Sequence, residues 1–436
     1  MNKYIIAAAL SLFSVTSFVS TTSFAQANIS PAPKQSQAIA ITGATIHIGN
    51  GSVIENGTLV FAKGKIVSVA AGSAVQSGAT EIKANGKHIY PGFIAPITNL
   101  GLTEFESVKA TLDFNEIGNL NPHIRSLVAY NTDSKVPATL RSNGVLMAQI
   151  TPQGGTIAGS SSVVQLDAWN WEDAAIRTDD AIHMNWPTIP RGRGFGRMAM
   201  SAEAMRERRD AALSELESFF AEAKAYSEGN PAVVNPRLAA MKRVFDGSER
   251  LFITADSQKD IVAAVNFAKK HKITPVIVGG DEAHLITDFL KENNITVVIK
   301  QPHALPNSVD DDVNMPYKNG AVLANAGIPI VISIEGYWQQ RNLPFMAGTI
   351  AAWGLDKEKA LQAITLNTAK VLGIDKTAGS LEVGKDATLF ISSGDALNMT
   401  TINVESAFIQ GRNISLDNLH KQLNKKFSEK YGLKVD

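Results

Sequence analysis

The chain reads as an α/β protein built on a parallel sheet, with a smaller β module assembled from its two ends. Three observations lead there. Short apolar runs at residues 251–255, 274–278, 296–300 and 328–333 are strand candidates, and helical segments at about 259–270 and 282–293 separate the first three. Repeating βα units of this spacing call for parallel strands, and at 436 residues a closed barrel is the commonest way to cover such a sheet. Residues 38–89 instead alternate short β-rich runs with the turn pairs Asn50-Gly51, Asn56-Gly57 and Lys63-Gly64, the pattern of an antiparallel sheet. The same texture returns at 387–392 and 404–409, before Gln410-Gly411, so both ends can join one small β domain.

From the N-terminus, residues 1–27 carry one lysine, Lys3, an apolar run from Tyr4 to about Val19, and an Ala25-Gln26-Ala27 ending. That is the form of a secretory signal peptide with its cleavage site. Serines and threonines crowding 14–23 argue against a retained membrane anchor, and no later apolar run approaches about 18 residues. The expectation is a mature protein of the periplasm, or secreted, with no membrane span. Ser201 is a helix N-cap, and Met205, Ala212, Leu216, Phe219 and Ala223 form one stripe of a long packing helix that runs to Ser227. Residues 416–431 read as an amphipathic helix docked on the body, its lysines solvated.

Composition narrows the chemistry. Forty-one basic residues balance forty-one acidic ones, which removes the electrostatic case for nucleic acid as a partner. The absence of cysteine excludes disulfides, thiolate ligands and a cysteine nucleophile together.

The most informative stretch is Pro91-Gly92-Phe93-Ile94-Ala95-Pro96-Ile97-Thr98-Asn99. It resembles the first barrel strand of metal-dependent amidohydrolases, where the pattern is Pro-Gly-Phe-Ile-Asp-x-His-x-His. Ordered similarity continues through Asp256–Ala263, Val276–Gly280 and Arg341-Asn342-Leu343-Pro344. It goes on through 360–367 and Leu372-Gly373-Ile374 to Gly379-Ser380-Leu381-Glu382-Val383-Gly384-Lys385-Asp386-Ala387. The set is similar to the imidazolonepropionase-like branch of the superfamily. The resemblance implies a (β/α)8 TIM-like barrel at 91–378 and a β-sandwich from 28–90 and 379–415, followed by a C-terminal helix at 416–436. It also implies a hydrolase of non-peptide C–N bonds in cyclic amides, N-acyl or dipeptide-like substrates, and a homo-oligomer or a pairing with a paralogous amidohydrolase.

In the family, histidines on strands one, five and six and an aspartate on strand eight hold one or two metal ions. Two imidazoles spaced i, i+2 on a strand point the same way and converge on one ion. In this chain Ile97 and Asn99 fill the strand-one slots, Thr254 the strand-five slot, Gly279 ends strand six, and Glu335 lies near the strand-eight slot. Isoleucine and glycine offer no donor, so no metal site exists by the family pattern. Zinc or another divalent ion is expected only where a site has been rebuilt.

Asp256 and Glu335 are candidates for catalysis as a carboxylate pair, with His303 as a third member. Asn99, Glu104, Thr254 and His303 are candidate substrate contacts at the strand ends. The competing assignment has Asp256 capping the next helix, His303 in a polar loop, and Glu335 paired with an arginine such as Arg341. Gly154 and Gly155, in a glycine- and hydroxyl-rich run at 153–162, suggest either an anion-binding nest or a plain loop. Residues 191–197, Arg-Gly-Arg-Gly-Phe-Gly-Arg, read as a loop over the barrel mouth. His47, His88, His123, His183, His271, His284 and His420 show no i, i+2 or i, i+4 pairing and read as surface or capping residues. Two functions remain open: a hydrolase, or a non-catalytic ligand binder or silent subunit.

Overall fold

Two eight-stranded sheets organise the protein. The computed structural model describes residues 30–72, 78–189, 201–229, 232–306 and 311–433. Residues 1–27, read above as a signal peptide, and the arginine-glycine run at 191–197 lie outside the described residues. No described helix is long and apolar enough to cross a membrane.

The first sheet takes β1 (Ile39–His47), β2 (Val53–Ala62), β3 (Lys65–Ala71), β4 (Thr80–Lys83) and β5 (His88–Pro91) from the N-terminal part of the chain. Near the C-terminus β14 (Leu389–Ser392), β15 (Val404–Ile409) and β16 (Arg412–Ile414) complete it, in the order β16-β15-β14-β5-β1-β2-β3, with β4 beside β1. It is one hydrogen-bonded sheet that curls over its own core. Phe61 on β2 and Phe408 on β15, far apart in strand order, meet edge to face at 5.1 Å. Ile41, Ile46, Leu59, Ile89 and Leu389 fill the space beneath them.

The second sheet runs β6 (Phe93–Thr98), β7 (Val145–Ile150), β8 (Ile157–Gln165), β9 (Ala175–Asn185), β10 (Arg250–Ala255), β11 (Val276–Gly279), β12 (Thr296–Ile299) and β13 (Ile330–Ile332), each beside the next in sequence. From β9 to β13 every pairing is parallel. The sheet is a nearly closed barrel. Between β13 and β6 a short segment intervenes: Ile332 N–H donates to Ala363 O and Ile94 N–H to Ile364 O, both at 3.0 Å. Ser333 Oγ also donates to Pro96 O at 2.9 Å. One apolar cluster draws on every strand (Ile94, Met147, Val163, Ala181, Phe252, Val276, Val298, Val331) and is the barrel interior. Alternate residues such as Phe93, Ile253, Ile277 and Val297 face the helices instead. Leu372 and Ile374 join the interior cluster from the N-terminal ends of the strands, where Arg177 on β9 bonds the carbonyls of Leu372 and Gly373. The opposite, C-terminal end is the mouth.

The expected run of parallel strands fails at one place. Residues 153–162, read as a glycine-rich loop, mostly form β8, which is buried along its whole length and antiparallel to both neighbours. Three glycines and three serines hide the strand from a propensity reading, yet buried hydrogen bonding satisfies the serines. The long helix Ala202–Glu228 forms as expected, with Ser201 Oγ accepting from Ala204 N–H and Leu216, Phe219 and Ala223 buried. The terminal helix Leu419–Tyr431 differs from expectation. Ser428 is its one buried residue, whereas Leu419, Leu423, Phe427 and Tyr431 keep 39–65% of their surface exposed.

Candidate functional site

At the mouth, the first-strand slots have been rebuilt for packing. β6 pairs with β7 at Ala95↔Ala148 and next at Thr98↔Ile150, so one extra residue is inserted into β6. That bulge breaks the two-residue alternation on which a His-x-His grip depends. It puts Ile97 at φ 51°, a left-handed conformation that β-branched residues rarely adopt. The Ile97 N–H donates to Gln149 Oε1 at 3.1 Å. Asn99 is buried, and its Nδ2 donates to Thr103 Oγ1 at 3.0 Å, closing the turn after the strand. Glu104 accepts from Asn131 Nδ2 at 3.1 Å, and its carbonyl accepts from Tyr337 Oη at 3.3 Å. Asn99 and Glu104 therefore brace the loop that follows β6.

At the far side of the mouth, Thr254 ends β10 half-buried, level with Asn185 and Val278. Gly279 sits at φ 95°, and a Cβ there would lie 1.9 Å from Asp256 Oδ1. The Asp256 carboxylate thus fills the side-chain space of the sixth-strand slot. Its pKa is pushed up to about 6, first by desolvation and then by the charges of Asp281 and Glu335, with Lys300 pulling the other way. Glu335 is exposed and pairs with Lys300 Nζ at 2.7 Å, while its N–H donates to Gln301 Oε1 at 2.9 Å. Asp256 and Glu335 do share one electrostatic environment.

His303 does not join them. Its Nε2 lies 2.6 Å from Thr349 Oγ1 and its ring packs near Tyr317, both on helices outside the barrel, while its carbonyl accepts from Gln301 Nε2 at 3.3 Å. The competing assignments also need correction. Ser257, not Asp256, caps the helix Gln258–Lys270, because its Oγ accepts from Asp260 N–H. Arg341 donates to the Trp338 carbonyl at 2.8 Å and does not pair with Glu335. Beside Gly154 and Gly155 the N–H groups of Thr156 and Ile157 both donate to Asn119 O at 2.8 Å, and a Cβ on Gly155 would meet the carbonyl oxygens of Gly118 and Asn119 at 2.9 Å. Oxygen acceptors crowd that turn, and they repel an anion.

A further constellation lies inside the barrel, unseen in the sequence reading. Gln149 on β7, Ser161 on β8 and Asp180 on β9 are fully buried, and His183 on β9 is nearly so. Gln149 Nε2 donates to Asp180 Oδ2 at 2.8 Å and to Ser161 Oγ at 3.0 Å. Ser161 Oγ donates to Asp180 Oδ1 at 2.9 Å and lies 2.9 Å from His183 Nε2. A hydroxyl has one proton and two lone pairs, so with Asp180 ionised His183 must be the Nε2–H tautomer and donate to Ser161. Burial depresses the His183 pKa to about 3 and raises that of Asp180 to about 7, the latter against hydrogen bonds from Ser161 and Gln149. Just outside, Ser160 Oγ donates to buried Glu249 at 2.7 Å, whose pKa burial also raises to about 7. The available signal was the run of three serines in β8, which the glycines disguise as a loop, and Asp180 with His183 three residues on in β9.

Taken slot by slot, the donors do not fit a metal of the expected kind. Isoleucine and glycine supply no lone pair, Asn99 is turned to Thr103, and Lys300 presents a cation beside Glu335. Among the described residues no three His, Asp or Glu side chains group as a metal site.

A profile of the amidohydrolase family matches residues 252–414. The chain is similar to the imidazolonepropionase of Flavobacterium psychrophilum, 24% identical over 210 residues that cover 42% of this chain and 50% of that one. The imidazolonepropionase of Flavobacterium johnsoniae is 25% identical over 180 residues, 37% of this chain and 43% of its own. The chain therefore matches half or less of the length of these relatives. An amidohydrolase from Thermotoga maritima MSB8 superposes with a TM-score of 0.75 at 20% identity, covering 86% of this chain and 99% of that one. The chain resembles the amidohydrolase superfamily. Within that superfamily its sequence likeness is to the imidazolonepropionases named above. Molinate hydrolase gives a TM-score of 0.54 at 17% identity, over 87% of this chain and 95% of its own. At such identities the structural likenesses establish the fold alone. The profile begins inside β10, so it covers the regular half of the barrel and leaves the rebuilt first strand outside.

Proposed function

We propose that this chain is an exported, metal-independent amidohydrolase-fold protein whose barrel binds a small polar ligand or pairs with an active paralogue. One observation carries the reading: at three of the family's metal slots the local structure is committed to other contacts. Ile97 is held through its backbone to Gln149, Asn99 to Thr103, and Asp256 lies over Gly279. In this reading the eight-stranded sheet is a (β/α)8 TIM-like barrel with its third strand reversed. It spans 91–378, and a small β domain flanks it. The test is elemental analysis of protein purified from the periplasm without a histidine tag. Metal well below one equivalent per chain supports the proposal, and about one or two equivalents of zinc or a similar ion overturns it. Recovery of the mature chain beginning near Asn28 would support export.

A second reading keeps hydrolysis without a metal. It rests on Asp256, held near a pKa of about 6 in the electrostatic company of Glu335, a value suited to acid–base exchange with a substrate. It predicts hydrolysis of a cyclic amide or N-acyl substrate that is lost in Asp256→Asn and in Glu335→Gln. Activity that persists in both variants removes this reading.

A further inference from the structure

Outside the barrel, two histidines with no sequence periodicity are brought together. β1 and β5 run parallel with Thr45 opposite His88, which sets His47 beside it. Nε2 of His47 lies 3.1 Å from Nδ1 of His88, and Nδ1 of His47 lies 2.7 Å from Glu358 Oε1 on the helix Lys357–Gln362. His47 is buried and stacks flat on Tyr90, with centroids 4.3 Å apart and planes 5° from parallel. The three groups form a line from the terminal sheet to a helix of the central body. Earlier reading made both histidines surface or capping residues; the fold makes them a junction.

Counting hydrogens fixes what the line can hold. Glu358 as a carboxylate accepts, so His47 Nδ1 carries a proton. The contact between the rings admits one proton, because two N–H groups facing each other at 3.1 Å have no acceptor between them. A neutral pair fits, with His88 donating to His47. A pair with one added proton also fits, with the charge on either ring. A second added proton does not.

We infer that the His47–His88 pair is an acid-sensitive latch between the terminal sheet and the helix Lys357–Gln362, closed with no or one added proton and opened by the second. The surroundings agree on direction. Burial, then the charges of His47 and Lys357, hold the His88 pKa below its ordinary 6.5, while Asp395 and Glu55 oppose them weakly. Lys357 is itself paired with Asp395 at 2.7 Å, and Glu55 accepts from Thr45 Oγ1 at 2.7 Å, so neither acid is aimed at the pair alone. A histidine with a lowered folded pKa contributes stability above the unfolded value that is lost as pH falls below it. The latch therefore loosens on acidification below about pH 6.5, the ordinary value for the imidazole.

The experiment is hydrogen exchange on the full chain at about pH 7.5 and about pH 5, corrected for intrinsic rates, in wild type and His88→Gln. Glutamine can donate to His47 but takes up no proton. Wild type should lose about tenfold protection or more in His88–Pro91 and Lys357–Gln362 on acidification, and His88→Gln should keep its protection. Equal loss in both proteins overturns the latch. Should His88→Gln not fold, imidazole 15N titration of wild type decides alone. Stepwise uptake, with the second proton entering only as the junction amides open, supports the latch; two full protons on an intact junction overturn it.

Discussion

The two halves of the barrel are built on different rules. From β10 to β13 the strands are parallel, apolar inside, and joined by helices in a regular alternation. From β6 to β9 the first strand is bulged, the third is reversed, and the interior carries Gln149, Ser161, Asp180 and His183. The family profile covers the first kind of half and stops short of the second. The regular half supplies scaffold, and a scaffold residue has apolar substitutes. The irregular half holds the strand-one slots, and hydrogen bonding within the barrel occupies the space beside them.

The contrast can be broken at several points, the largest first. Phe252→Ala, in the apolar half, should cost about 3–5 kcal/mol in denaturant unfolding by emptying a fully packed interior position. A cost under about 1 kcal/mol would mean that this half is not close-packed.

In the polar half, stability should depend on pH through Asp180. Its folded pKa of about 7 exceeds the unfolded value, so the native state binds the extra proton between them. Its contribution is greatest below about pH 4, declines as pH rises to about 7, and is level above that, a span on the order of 4 kcal/mol. Glu249 acts in the same direction and His183, with its depressed pKa, in the opposite one, so the mark of Asp180 is a difference: between about pH 4 and 7 the unfolding free energy of Asp180→Asn should fall less with rising pH than that of wild type. An unchanged slope would separate Asp180 from the effect.

Ile97→Gly tests the bulge. Relief of a left-handed isoleucine, worth about 1–3 kcal/mol, should offset the loss of a half-buried side chain and leave stability within about 1 kcal/mol of wild type. Ile94→Gly, on the same strand without the strain, should lose several kcal/mol. Matching losses would deny the strain. The smallest effect belongs to the rim: Lys300→Ala should change stability by less than about 1 kcal/mol, since the pair is solvated. The same variant should raise the Asp256 pKa further, read by carboxyl 13C shifts, because Lys300 opposes the other charges there.

Much of the architecture was legible because it rests on local signals. The runs at 251–255 and 296–300 are apolar strands bounded by helical periodicity, and Ser201 announces its helix by capping chemistry. The loss of the metal slots was equally plain, since isoleucine and glycine cannot ligate wherever they sit. What stayed hidden depends on partners distant in sequence. Ser161 reads as loop until Gln149 and Asp180 satisfy its hydroxyl, and His47 reads as surface until β1 and β5 pair and Glu358 arrives from 311 residues away. His303 differs in the opposite sense. Its position just beyond a strand end suggests the mouth, and its imidazole meets Thr349 on a neighbouring helix.

Gly279 sets the order in which a metal site could be engineered into this barrel. A histidine there would drive its Cβ into the Asp256 carboxylate at 1.9 Å, from a backbone φ of 95° that side chains avoid. A ligand can be placed there only after Asp256 has been shortened and the strand end reshaped, and neither change yields a metal site by itself. A single substitution at this position thus brings the cost of a clash and no binding to offset it. The glycine acts as a lock: small, unreactive, and opened only by a change elsewhere.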